Sequence, residues 1–248
     1  MIDPAGIDQD APSPERMLVL LCTYNERASV EEILSRIFAA VPLADVLVVD
    51  DNSPDGTGDW LKEHSKVEPR LFVLSRSGKL GLGGAILAGI RWGESQGYSW
   101  LVNLDADLSH NPADIPRLMS ALLATPDCDV SVASRYLPGG AIVGWPYHRR
   151  FISRWLNRVA RYALRLPLRD CSGSFRCYRL QTLLDLPLDE LRERGYALLE
   201  ELLFMLKQHG AKFVEVPIQF TDRAVGKSKL TIWEAWHTAL TILRLSIK

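Results

Sequence analysis

Between Met17 and Ala133 the chain alternates short, β-branched-rich apolar runs with stretches of helical periodicity, and this alternation restricts the fold more than any other feature. Met17 to Cys22, Val46 to Val49, Leu71 to Leu74, Trp100 to Leu104 and Val130 to Ala133 predict strands. Val30 to Ala40, Asp59 to His64, Gly84 to Ser95 and Ile115 to Ala124 predict the helices between them. Runs this apolar are covered on both sides, so the expectation is an α/β fold, a mainly parallel sheet with helices on both faces. Ligands of such sheets gather at the carboxyl ends of the strands. Here those ends carry Thr23 to Glu26, Asp50 to Asp55 and Asp105 to Ser109.

The alternation stops after Arg135. Leu137 to Tyr147 has the Pro and Gly content of a loop. A helix is expected from about Arg149 to Leu166, a short segment at Ser174 to Tyr178, a helix at Tyr196 to Gln208, a strand at Lys212 to Ile218 and a last helix at Thr231 to Ser246. Residues 1–16, rich in Asp, Pro and Ala without periodicity, read as a disordered leader. Residues 17–230 then form one α/β domain, and 231–248 a C-terminal amphipathic helix.

A formal net charge of −1 with 47% hydrophobic and 24% charged residues fits an ordinary globular protein and speaks against a nucleic-acid-binding one. The four cysteines lack CxxC spacing, which argues against a zinc site or redox dithiol and fits a reducing cytosol. The N-terminus does not read as a signal peptide, and no apolar run approaches the roughly 20 residues of a spanning helix. Contact with a membrane would therefore be from one side, at its cytoplasmic face.

Asp105-Ala106-Asp107 follows a strand directly, so two carboxylates can reach a hard divalent cation, Mg²⁺ or Mn²⁺, from one edge. A loop with a helix-capping acid is the plainer reading of the same three residues. Asp50 and Asp51 repel one another at a strand end, for which a ligand or cation is the expected partner, whereas Asp55 and Thr57 suit a turn that caps the next helix. From Val130 to Arg169 there is no Asp or Glu, but there are eight arginines. Five of them, Arg150, Arg154, Arg158, Arg161 and Arg165, fall along one helical face, with Ile152, Trp155, Leu156, Val159, Ala163 and Leu166 on the other side. Such a helix suits an anionic membrane surface, or packs its apolar side in the core with a solvated arginine face.

With Thr23-Tyr24-Asn25-Glu26 the set resembles the family 2 glycosyltransferases of the GT-A fold, and within them the polyprenyl-phosphate mannosyltransferases. The resemblance rests on DDNSPDGT (Asp50 to Thr57), KLGLGGA (Lys79 to Ala85), DADLSHNP (Asp105 to Pro112) and SRY (Ser134 to Tyr136). It continues through GWPYHRRFISRWLN (Gly144 to Asn157), DCSGSFRCYR (Asp170 to Arg179) and VPIQFTDRAVGKSKL (Val216 to Leu230).

The resemblance implies that Tyr24, Glu26 and Asp51 contact the guanosine end of GDP-mannose, with Cys22 and Val49 giving backbone or packing contacts. It makes Asp105, Ala106 and Asp107 the diphosphate and metal site, with Ser109 a further ligand. Arg135, Arg149, Arg223 and Lys229 match positions that meet phosphate, Arg135 and Arg149 on the acceptor side. Asp107, Arg135, Arg223 and Lys229 would carry the chemistry. The implied partners are GDP-mannose, a polyprenyl phosphate, a membrane surface and a possible small membrane subunit; family members differ in carrying transmembrane helices after this point. A phosphate acceptor is already an oxyanion, so no catalytic base is required, and His110 is secondary. UDP-glucose as donor, or a non-catalytic nucleotide-sugar-binding adaptor, remain the competing readings. Gly226-Lys227-Ser228 and Gly81-Leu82-Gly83 lack the further glycines of a P-loop or dinucleotide fingerprint.

Overall fold

The computed structural model describes residues 15–193, 195–223 and 232–247. Lys227 and Lys229 lie outside the described residues. The first half is built from β1 (Met17–Thr23), α1 (Val30–Ala40), β2 (Asp45–Asp50), α2 (Thr57–His64), β3 (Leu71–Ser75), α3 (Leu82–Ser95), β4 (Trp100–Asp105), α4 (Ile115–Ala124) and β5 (Val130–Ser134). These agree with the expected elements to within two residues at each end.

The second half contributes β6 (Ala141–Val143), α5 (Tyr147–Ala163), β7 (Arg176–Arg179), α6 (Leu180–Leu184), α7 (Leu198–Gln208), β8 (Phe213–Pro217), β9 (Gln219–Thr221) and α8 (Ile232–Ser246). Seven strands form one sheet in the order β3-β2-β1-β4-β7-β5-β8, and β6 and β9 pair in a separate ribbon. Every pair in the main sheet is parallel except those of β7, which runs antiparallel to both β4 and β5. The segment expected at Ser174 to Tyr178 is that inserted strand, and part of the expected loop 137–147 is β6.

The two-residue period of the strands sorts side chains onto opposite faces. Leu18 and Leu20 of β1, and Leu47 and Val49 of β2, join the core under α3, α6, α7 and α8. Val19, Leu21, Val46 and Val48 join the core under α1, α2 and α4. Helix α3 packs closely against the sheet at Gly89, where a Cβ would lie 2.5 Å from a methyl of Leu20. The chain leaves β1 towards β2 on one side and reaches β4 on the other. The carboxyl ends of β1 and β4 therefore flank the crevice of a topological switch point.

Candidate active site

Register brings the three acidic segments to that crevice: Cys22 lies beside Asp105, and Thr23 beside Asp50. Asp50 is buried and fully engaged, accepting from Thr23 Oγ1 at 2.8 Å, Ser53 Oγ at 2.6 Å and Ser53 N at 3.0 Å. Asp51 accepts from Arg76 Nε at 2.5 Å and Leu80 N at 3.0 Å. Hydroxyls, backbone amides and a guanidinium within the chain thus take part in offsetting the repulsion of the two acids. Asp55 stitches the neighbouring loops, accepting Thr57 N at 3.0 Å and Arg27 N at 2.9 Å, while Thr57 Oγ1 accepts Glu26 N at 3.1 Å. Gly56, in a left-handed conformation, takes the N-cap position of α2, and the preceding Asp55 supplies the acceptor for the N–H of Thr57, the first helical residue.

A cavity of about 190 Å³ opens between these segments, lined by Cys22, Tyr24, Asp51, Lys79, Leu82 and Tyr196 among others. Lys79 Nζ lies 4.8 Å from the centre of the Tyr24 ring. Burial pushes the Cys22 thiol far above its ordinary range, so it lines this cavity as a neutral group. Val49 is buried in the sheet beneath, and Glu26 accepts from Ser29 Oγ at 3.2 Å.

The other lobe of the crevice holds Asp105 and Asp107. Asp107 is buried; its Oδ1 accepts Ser109 N at 3.0 Å and its Oδ2 lies 2.8 Å from Arg223 Nε. His110 is packed between Phe175 and Phe220, with Nδ1 3.8 Å from Asp105 Oδ2. Burial lowers the His110 pKa, against the opposing pull of the Asp105 and Asp107 carboxylates. Burial also raises the Asp105 carboxyl; His110 opposes the shift and the Asp107 carboxylate adds to it.

Among the described residues there is no cluster of three or more His, Cys, Asp or Glu able to enclose a metal. Two like-charged carboxylates and the buried Ser109 Oγ, which has no hydrogen-bond partner among the described residues, nevertheless fit an ion that takes part of its oxygen shell from substrate phosphates and water. Ala106 is buried in the core between the two acids.

Arg135 is buried and binds Asp170 through Nε at 2.7 Å and Nη2 at 2.7 Å. The same Asp170 accepts Arg135 N at 3.0 Å. Arg149 lies 3.9 Å over the Trp145 ring and 3.2 Å from Asp222, which also accepts Trp145 Nε1 at 3.1 Å. Sequence reasoning placed Arg135, Arg149, Arg223, Asp51, Asp105 and Asp107 around one crevice but missed Arg76, Asp170, Asp222 and Tyr196. Of these, Asp170 and Asp222 stood inside motifs already singled out, and their signal was the acid beside an arginine-rich stretch.

A largely parallel sheet whose switch-point crevice collects acids from three strand ends is the architecture of a GT-A glycosyltransferase. The chain belongs to glycosyl transferase family 2, which it matches over residues 18–186, and is accordingly a glycosyltransferase. It is 44% identical over 216 residues to the undecaprenyl-phosphate mannosyltransferase of Micrococcus luteus, covering 87% of this chain and 88% of that one. It is 40% identical over 229 residues to the polyprenol monophosphomannose synthase of Mycolicibacterium smegmatis, covering 92% and 86% respectively. Among solved structures, glucosyl-3-phosphoglycerate synthase of Mycobacterium tuberculosis, in complex with Mn²⁺, uridine diphosphate and phosphoglyceric acid, matches with a TM-score of 0.69. That match covers 94% of this chain and 79% of the other at 19% identity, and speaks for the fold.

Proposed function

We propose that the chain transfers mannose from GDP-mannose to a polyprenyl monophosphate, with inversion at the anomeric carbon. The observation that carries the reading is the arrangement of the crevice: the Tyr24 and Asp51 cavity on one side, and on the other the Asp105 and Asp107 carboxylates with Arg223. The names of the two bacterial relatives support mannose and a polyprenyl phosphate. Tyr24, Asp51 and Lys79 hold the nucleoside. Arg223, and Lys229 from beyond the described residues, neutralise the departing diphosphate. Asp105, Asp107 and Ser109 would hold Mg²⁺ or Mn²⁺, which would supply Lewis-acid charge for the departing diphosphate.

The acceptor phosphate, oriented by Arg149 with Arg135 behind it, forms the new bond from one of its oxygens to the anomeric carbon. The bond from that carbon to the diphosphate breaks, and GDP leaves with the electron pair. The acceptor is already ionised, so no side chain has to remove a proton. Residues 17–230 act as the catalytic domain and 231–248 as an amphipathic helix beside it.

A lipid acceptor requires the enzyme to work at a membrane, here the cytoplasmic face. Among the described residues no helix is long and apolar enough to cross one. A peripheral mode, with or without a small membrane subunit, fits α5, on which Tyr147, Phe151, Ile152 and Trp155 are exposed. Purified protein given labelled GDP-mannose or UDP-glucose and a polyprenyl phosphate, with and without Mn²⁺, tests the proposal. Metal-dependent labelling of lipid from GDP-mannose is the expected result. Labelling from UDP-glucose alone, or tight GDP binding without turnover, overturns it.

A further inference from the structure

Helix α5 departs from the sequence expectation in a way that exposes a second site. Of its 17 residues only Asn157 and Ala160 are buried. Asn157 moors the helix, accepting Cys171 N at 2.6 Å and Ser172 N at 3.2 Å through its side-chain oxygen. Ile152 and Trp155, expected opposite the arginines, are 49% and 54% exposed. Helical geometry puts Phe151, Trp155 and Tyr162 in a stripe directly beside Arg154, Arg158 and Arg161 on the solvent side.

The arginines do not form a flat face. Arg154, Arg158 and Arg161, with Tyr136, Tyr162 and Arg169, enclose a hollow of about 390 Å³. Arg169 comes from beyond the helix, after the turn at Arg165, and closes the hollow from another direction. Tyr136 is held by Ser153, its hydroxyl donating to the serine oxygen at 2.7 Å, and Arg154 lies 5.7 Å from the centre of the Tyr136 ring. None of the four guanidinium groups has a carboxylate partner among the described residues. Glu215 reaches this region, but its oxygens accept the backbone N–H groups of Arg169 and Asp170 at 3.0 and 3.1 Å. Four guanidinium groups around one concavity repel each other, and an anion offsets that repulsion; a carboxylate and a phosphate both match the guanidinium fork, but the tetrahedral phosphodiester spreads its oxygens in three dimensions and so meets forks that converge from different directions.

We propose that this hollow binds the phosphodiester headgroup of an anionic membrane glycerophospholipid, at a site separate from that of the acceptor phosphate. The lipid source follows from the neighbouring stripe: exposed Phe151, Trp155 and Tyr162 suit the boundary between headgroups and acyl chains, which a free phosphate would not need. The separation is drawn from the lining: Arg135 and Arg149, assigned above to the acceptor phosphate, do not line the hollow. The inference extends the membrane part of the reading above and does not depend on which sugar is transferred.

Arg165 and Arg169 make the test clean. Both are exposed, four residues apart in the same acid-free segment, but only Arg169 lines the hollow. Binding is measured to phosphatidylcholine vesicles containing phosphatidylglycerol and to vesicles carrying equal charge as oleate. Wild type is expected to prefer phosphatidylglycerol by roughly tenfold. Arg169→Gln and Arg158→Gln, checked for folding by circular dichroism, are expected to lose that preference, and Arg165→Gln to keep it. Equal affinity of wild type for both vesicles, or equal loss in all three variants, overturns the site in favour of a diffuse charge. Glycerol phosphate binding as tightly without vesicles overturns the lipid source. A raised KM for a short detergent-soluble acceptor in Arg158→Gln, with unchanged GDP affinity, makes the hollow the acceptor's own site and overturns the separation. Failure of sugar transfer alongside an intact vesicle preference would strike the proposed function and leave this inference standing.

Discussion

Arg223 Nε stands 2.8 Å from Asp107 Oδ2, so a cation expected to meet the departing diphosphate is held against an acid expected to hold the metal. The contact fixes the two side chains against each other at the crevice, and the proposed reaction would give each a further partner, the metal ion for the acid and the diphosphate for the guanidinium.

Asp107 is buried and its Oδ1 holds the Ser109 turn, so asparagine, which keeps that acceptor, is the informative replacement. Asp107→Asn is expected to lower turnover by roughly a hundredfold or more, equivalent to about 3 kcal/mol of barrier, with little change in melting temperature. Turnover across a Mn²⁺ titration together with a thermal melt checks this. Near-normal metal-dependent turnover would remove Asp107 from the metal site.

Arg76 is expected to set the donor pocket through Asp51. A Cβ at Gly84 would come within 2.6 Å of Arg76 Nη1, the movable end of a flexible side chain. Gly84→Ala should therefore fold, with the guanidinium pushed off Asp51. Its GDP dissociation constant is expected to rise about tenfold, in line with the loss of one charge-assisted hydrogen bond, and Arg76→Gln should match it. Unchanged GDP affinity in both variants would show that the Arg76 and Asp51 pair does not serve the nucleotide.

Glu200 supplies a pH dependence of stability. Burial pushes its carboxyl from an ordinary 4.5 to about 7, against the pull of Arg176. Between those values the folded chain holds a proton that the unfolded chain has released, so stability falls as pH rises through the window. The full effect is about 3 kcal/mol as an upper estimate. In Glu200→Gln this contribution vanishes. The variant's urea midpoint, relative to wild type, is therefore expected to improve steadily from about pH 5 to about pH 8. A constant difference across that range would place the Glu200 titration elsewhere.

The first half of the fold was legible because each strand is apolar on both faces and each acidic motif falls where a strand ends. The two-residue alternation at Leu18 to Leu21 and the helical spacing at Val30, Ile33, Leu34 and Ile37 each match a covered surface. β6 and β9 were not legible, since three residues are too few to show a period and their pairing depends on chain segments almost eighty residues apart. The antiparallel direction of β7 likewise follows from the route of the loop after α5. Partners such as Asp170 for Arg135 and Arg76 for Asp51 lie far from each other in sequence, and charge alone does not say which arginine meets which acid. On α5 the periodicity separated arginines from apolar residues correctly in angle. It did not reveal that the buried side is the narrow strip at Asn157 and Ala160, because the moorings of Asn157 are backbone groups at Cys171 and Ser172.

Arg149 is expected to serve the acceptor rather than the donor. It stacks over Trp145 and faces Asp222, on the loop and helix that follow the crevice and away from the cavity lined by Tyr24 and Asp51. Asp222 keeps the Trp145 Nε1 and Arg223 N hydrogen bonds, at 3.1 Å each, when the Arg149 side chain is cut back, so the loop stays tethered. Arg149→Ala should therefore raise the KM for polyprenyl phosphate by about tenfold or more, the loss of one charge-assisted phosphate contact, while GDP affinity stays within about twofold. Arg149→Lys, which keeps the charge but not the paired donors, should fall between the two. Steady-state kinetics with varied acceptor, alongside calorimetric GDP titration, separates the terms. Equal losses in acceptor KM and GDP affinity would move Arg149 into the donor site. An unchanged acceptor KM would leave its stacking on Trp145 as a purely structural contact.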